Sequence, residues 1–390
     1  MSEYQYYEFL ALDRPLTDAE FGQVRVLSTR AQISRTRFVN EYEWGDFRGD
    51  PDALMDRFYD AHLYFANWGT RILMLRLPAA LLDLRTARGY CDGEGASVRG
   101  SGKNIVLRWC SEDEDGEEDW VDGGPGPLGA LVGVRAELAG GDLRPLYLGW
   151  LAALSAGRFG TLEEFDGEDD EDVLEPAVPA GLGRLTGAQR ALADFLRVDG
   201  DLLDVAAEAS AELGAEAGDT VSAVDQWIKG LAPQEKDAAL RRLLSDDDPH
   251  ARAELLRAAR PGAVKPSGSG RTVRALLEAA ATRAGVREQE RLRRLAVERE
   301  RREQQVRRER ERRLDELAGQ GERPWVEVNA LIAGKTARDY QAAVALLTDL
   351  QELTRRGGDG EGFSRRLAEL RAAHQRKPAL IKRLDNAALY

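Results

Sequence analysis

The chain has 390 residues, 43% hydrophobic and 32% charged, with a formal net charge of −13. That length exceeds one simple core and fits two or three domains, and the apolar content excludes global disorder. No apolar run approaches the roughly 20 residues that span a bilayer, and two cysteines exclude a disulfide framework.

The charge is unevenly placed. Residues 271–390 hold 27 Lys and Arg against 19 Asp and Glu, a net of +8, which leaves −21 for residues 1–270. Such asymmetry fits either internal docking or separate partners. The opening Met1-Ser2-Glu3-Tyr4 lacks a basic-then-apolar leader, so the expectation is a cytoplasmic protein. The preference for Arg over Lys, with abundant Ala and Gly, fits a GC-rich bacterial genome.

Residues 1–160 read as an α/β domain. Tyr4–Leu12 has strand density. Thr17 with Glu20 three residues on makes a capping box for a helix carrying Phe21, Val24 and Leu27. Ile33–Trp44 alternates as a second strand, with Phe38, Asn40, Tyr42 and Trp44 on one face. Asp50-Pro51 opens a helix expected to run through Leu54, Phe58, Ala61 and Phe65 to Trp68, where Gly69 stops it. Thr70–Leu77 and Ile105–Cys110 are further strands, with a short helix over 79–88. The order predicts an α+β head of ferredoxin-like βαββαβ type.

Glu112–Asp122 holds eight acids and 161–175 holds nine; an acidic linker is placed at 161–180. Residues 181–260 form a helical bundle, with helices over Gly187–Arg197, Leu202–Leu213, Val221–Gly230, Pro233–Leu244 and His250–Ala259. Pro, Gly and Ser at 261–270 mark a hinge. Residues 271–318 form one long charged helix, its only glycine at Gly285, spanning roughly 70 Å at 1.5 Å per residue. Within it, 287–316 carries 12 Arg and 9 acids. Glu290 with Arg294, Glu298 with Arg302, Glu303 with Arg307 and Glu309 with Arg313 have the i,i+4 spacing of helix ion pairs. Leu292, Leu295, Val306, Leu314 and Leu317 do not sustain a heptad, which favours a self-supporting charged helix over a coiled coil. Residues 319–390 form a helical C-terminal bundle, in which Tyr340, Val344 and Leu347 make a stripe for Phe363, Leu367 and Leu370.

Candidate sites are few. Gly100-Ser101-Gly102-Lys103 resembles a phosphate loop, but Asn104 follows the lysine where the motif needs Ser or Thr, so a hairpin turn is expected. His62, beside Asp60, has the chemistry of a general acid/base, against a core histidine. Cys91 and Cys110 are read as structural thiols rather than nucleophiles. The three histidines and two cysteines are too scattered for a zinc site, and the contiguous acids lack the offsets of a calcium loop. No cofactor is implied. The aromatics of the head, among them Tyr4, Tyr6, Phe9, Phe38, Trp44 and Trp68, serve either a core or base stacking. Arg301, Arg302, Arg307 and Arg308 are the best candidates for nucleic-acid contact, although acids alternate with them and no aromatic accompanies them.

The opening YQYYEFLALDRPLT, with TRFVNEYEWGDF and ANWGTRILMLRLP downstream, resembles the N-terminus of a group of uncharacterised bacterial proteins. The ending YQAAVALLTDLQEL…FSRRLAELRAAHQRKPALIKRLDNA is similar to helical tails of that group and of some SWIM-type zinc-finger proteins, whose CxC…CxH zinc motif is missing here. The resemblance implies no activity and carries over no functional residue. The reading that results is a non-enzymatic protein–protein interaction or scaffold protein of the bacterial cytoplasm. The alternatives are a nucleic-acid-associated accessory protein in genome defence and an enzyme with its site in the head.

Overall fold

The computed structural model describes residues 4–112, 128–159, 173–212, 220–245, 250–259 and 270–390. The packing divides the chain into two units, residues 1–286 and 287–390.

The first unit is built on seven strands, β1 (Gln5–Leu10), β2 (Gln32–Ile33), β3 (Arg37–Tyr42), β4 (Ala61–Ala66), β5 (Arg71–Pro78), β6 (Ala96–Ser101) and β7 (Asn104–Ser111). They form one sheet in the order β2-β3-β1-β4-β5-β7-β6. Every neighbouring pair is antiparallel. The expected ferredoxin-like arrangement is therefore not the one observed. A βαβ unit needs parallel strands joined by a crossover, and here β1 lies between β3 and β4, antiparallel to both.

Both faces of the sheet are buried, as alternation along the strands dictates. Phe9, Phe38, Met74 and Val106 point to a core closed by Leu16, Val24, Leu54, Met55 and Tyr59, from α1 (Asp18–Arg25), α2 (Pro51–Arg57) and the chain beside them. The Thr17–Glu20 capping box starts α1 as expected, and Asp50 caps α2 with Pro51 in its first turn. The opposite face presents Leu63, Leu73, Leu75, Leu107 and Trp109 to a larger core. After the short α3 (Leu84–Arg88), that core is covered by α4 (Leu128–Ala139), α5 (Arg144–Ser155), α6 (Gly187–Phe195) and α7 (Gly200–Ala209). Helix α5 comes so close that a Cβ on Gly149 would lie 2.1 Å from Trp109 Nε1.

Three elements differ from expectation. The single strand expected over Ile33–Trp44 is the β2–β3 hairpin, which turns at residues 34–36. The helix from Asp50 ends at Arg57, and Ala61–Ala66 is strand β4. Burial on both faces hides the period of two in such a strand, leaving an apolar run whose spacing also fits a helix. Strand β6 lies at the sheet edge, where only Ala96 and Val98 pack on the core, so it carries almost no apolar signal.

Helices α8 (Thr220–Gly230), α9 (Pro233–Leu243) and α10 (Ala251–Ala259) follow, and α11 (Val273–Ala318) begins. Val273, Leu276 and Ala280 of α11 lie in the same core as Leu107 and Leu192. Sheet, helices α4 to α7 and the start of the long helix thus share one hydrophobic interior, where the sequence placed a head and a separate bundle. The acidic run 113–122, most of the linker (161–172) and most of the hinge (261–269) lie outside the described residues.

In the second unit, α11 is followed by α12 (Arg323–Gly334), α13 (Ala337–Gly357), α14 (Gly360–Ala373) and α15 (Pro378–Asn386). Leu317, Val328, Ile332, Tyr340, Leu347, Phe363, Leu367, Leu380 and Leu384 make its core. The expected stripe of Tyr340 and Leu347 against Phe363 and Leu367 belongs to this cluster, with Val344 at its margin. Gly358, at φ 79°, supplies the left-handed cap that ends α13, and the Asp359 side chain caps α14.

Candidate functional site

The start of α11 is fixed by a buried polar clamp. Segments 173–175 and 271–273 pair antiparallel through a bridge between Leu174 and Thr272, with Glu175 N donating to Arg271 O at 2.9 Å and Val273 N to Val173 O at 2.8 Å. This pairing brings Arg271 onto the fully buried carboxylate of Glu175, with Nε and Nη2 donating at 2.9 and 2.7 Å. The Tyr147 hydroxyl donates to the same carboxylate, and Arg271 Nη1 donates to Val205 O at 3.2 Å. Burial, then the neighbouring Glu175 charge, pushes the Tyr147 phenol far up, so it remains a donor.

Every residue from 287 to 313 is exposed. Leu314 and Leu317 are buried again, and Arg313 pairs with Asp349 of α13 at 2.8 Å. The i,i+4 pairs expected from Glu290, Glu298, Glu303 and Glu309 are not closed; the side chains instead join Arg291 to Glu288 at 2.6 Å, Gln304 to Glu300 at 3.1 Å and Gln305 to Glu309 at 2.9 Å. A solvated pair gains too little to hold two long side chains in one geometry.

Arg301, Arg302, Arg307 and Arg308 are all exposed on this stretch, but they do not form one basic face. At about 100° per residue, Arg301 and Arg308 fall together, while Arg302 and Arg307 each lie about 100° or more away. A different set lines up. Leu292, Leu295, Arg299, Arg302 and Val306 follow the alternating spacing of three and four that keeps one stripe on one side of a helix. The three apolar members are each about half exposed or more, at 53%, 49% and 59%.

The other candidates lie in the first unit. His62 is buried in β4, stacked on Phe9 at 3.9 Å between centroids, and donates from Nδ1 to Glu8 O at 3.0 Å. Burial lowers its pKa to about 3, so it is neutral at physiological pH. The Cys91 thiol donates to Ala87 O at 3.3 Å and burial pushes it up to about 11; burial also raises Cys110. These are the settings of unreactive thiols. Gly102-Lys103 is the two-residue turn of the β6–β7 hairpin, with Gly102 at φ 60°. Of the aromatics, Phe9 and Phe38 are core, whereas Trp44 and Trp68 are exposed, on turns after β3 and β4. Among the described residues no group of three or more His, Cys, Asp or Glu could hold a metal ion, and no helix is long and apolar enough to cross a membrane.

One polar network was not foreseen. Asp13 accepts from Arg135 at 2.8 and 2.7 Å and faces His250 Nε2 at 3.1 Å. Asp60, beside it, accepts from the Leu12 and Asp13 amides at 2.7 and 3.0 Å and from Arg76 at 2.7 Å. Burial favours the neutral Asp13 carboxyl, but hydrogen bonds from His250 and Arg135 outweigh it and hold the group well below the usual carboxylate range. The network joins the loop after β1 to β5, α4 and the start of α10. No local motif joins these positions, which lie far apart in sequence.

Compared with models of protein families, with curated proteins and with solved structures, the chain matches none.

Proposed function

We propose that the chain is a non-enzymatic interaction protein of the bacterial cytoplasm, working as a scaffold that presents the exposed part of α11 to a protein partner. The observation that carries this reading is the contrast along that helix. Its first turns are fixed by the Arg271–Glu175 clamp, yet every side chain from 287 to 313 faces solvent. A helix gains most of its stability from packing an apolar face. An uninterrupted stretch whose side chains are all exposed is retained for what it contacts outside its own core. The bacterial assignment rests on the composition and on the resemblance of the opening and closing segments.

A second reading is a nucleic-acid-associated accessory protein in genome defence. It is favoured by the net +8 of residues 271–390 and the exposure of Arg301, Arg302, Arg307 and Arg308. One experiment separates the two. Tagged full-length protein is captured from its host with and without nuclease, and enriched proteins are purified and recombined with it. A protein that survives nuclease and rebinds the pure chain supports the interaction reading. Enrichment that disappears with nuclease, together with sub-micromolar binding of DNA or RNA at 150 mM salt, supports the other.

A further inference from the structure

We infer that the stripe Leu292–Leu295–Arg299–Arg302–Val306 of α11 is the docking face for an acidic amphipathic helix of another protein. The inference rests on the interaction reading above and names the class of partner. The stripe has apolar residues at its two ends and two arginines at its centre, all exposed. Among the described residues no hydrogen bond or ion pair engages Arg299 or Arg302. The spacing of three and four matches a second helix lying alongside, since its own side chains recur with the same period. Leu292, Leu295 and Val306 call for apolar residues opposite them. Arg299 and Arg302 call for carboxylates, which take guanidinium bidentately while the arginine stems cover apolar surface.

Charge decides between occupants. A second copy in parallel register would set Arg299 against Arg299 and Arg302 against Arg302. An antiparallel copy centred on the stripe would set Arg299 against Arg299 and bury Arg302 against Leu295. Both juxtapose like charges at the seam. A phosphate backbone would meet Glu298 and Glu303, which flank the arginines on neighbouring faces, and would leave the apolar residues bare. A helix with apolar ends and a carboxylate centre satisfies the whole stripe.

The test uses the full chain and two labelled four-heptad helical peptides that share a leucine seam. They differ only in carrying Glu or Lys at the two central seam positions. Fluorescence anisotropy is expected to give about tenfold tighter binding of the Glu peptide. The double variant Arg299→Glu, Arg302→Glu, whose positions are solvent-exposed and leave the core intact, is expected to reverse the preference. Absence of binding, equal binding of the two peptides, or an unchanged preference in the double variant overturns the inference. So does displacement of the Glu peptide by equimolar duplex DNA, or self-association of the chain that the double variant abolishes. A host protein that rebinds the pure chain while both peptides fail would overturn this docking face and leave the interaction reading standing.

Discussion

Removing the guanidinium of Arg271 tests whether the start of α11 is held by the buried clamp. Arg271→Ala deletes two hydrogen bonds to Glu175, at 2.9 and 2.7 Å, and one to Val205 O at 3.2 Å. It also takes the counter-charge from a carboxylate that is fully buried. Breaking such a pair from one side costs about 3–5 kcal/mol. The arginine side chain keeps 19% of its exposure, so water partly screens the pair and the lower end, about 3 kcal/mol, applies. For a unit that runs from Met1 to Val286 that corresponds to a fall in Tm of roughly 5 °C. Urea denaturation gives the free energy, and hydrogen exchange over 273–280 gives the local effect, an expected rise in exchange. The triple replacement Arg271→Met, Glu175→Leu, Tyr147→Phe is expected to recover most of the loss, because it removes both charges together with the hydroxyl that bonds Glu175, and fills the space with apolar groups. A loss below about 1 kcal/mol, or strict additivity of the single replacements, would refute this account of the clamp.

Other consequences are open to direct measurement. Tyr59 is buried and its hydroxyl has no partner among the described residues, so Tyr59→Phe should leave the urea midpoint unchanged or raise it; a drop of more than about 1 kcal/mol would reveal a hydrogen bond to that hydroxyl. Gly149→Ala should cost about 1–3 kcal/mol, because the new methyl overlaps the Trp109 indole; an unchanged midpoint would show that α5 can move away. His62 has a folded pKa near 3, below its value of about 6.5 in the unfolded chain. The unfolded state therefore takes up the proton first, and the His62 term erodes stability as pH falls from about 6.5 toward 3. Its imidazole signals should not titrate between pH 8 and 5, and a midpoint in that range would contradict the burial. Asp13 has a depressed folded pKa, so its contribution is present above about pH 4 and is lost as pH falls through the folded value. Asp13→Asn should flatten the acid limb of the stability curve, and an unaltered limb would remove the network as its source.

What was legible in the sequence is what local chemistry determines. Thr17 with Glu20, Asp50 with Pro51, and the uninterrupted run to Ala318 each placed an element whose cap or propensity lies within a few residues. Strand β4 was hidden because Ala61–Ala66 packs on both faces, and its cross-strand partners lie in β1 and β5 rather than in its own sequence. The clamp was equally hidden, since Arg271 and Glu175 are joined by a single bridge that no periodicity announces. On α11, composition pointed to the arginines but not to how they share the faces of the helix. Arg301, Arg302, Arg307 and Arg308 are neighbours in sequence and diverge around the helix, whereas Arg299 and Arg302 fall in line with Leu292, Leu295 and Val306.

The claim at the centre is that residues 287–313 serve as a contact surface, and hydrogen exchange of the full chain with and without a purified partner tests it most directly. Protection on binding is expected over 287–313, strongest around 292–306, with the exchange of the sheet strands unchanged. Protection that falls elsewhere in the chain, with 287–313 exchanging as fast in the complex as in the free protein, would contradict it.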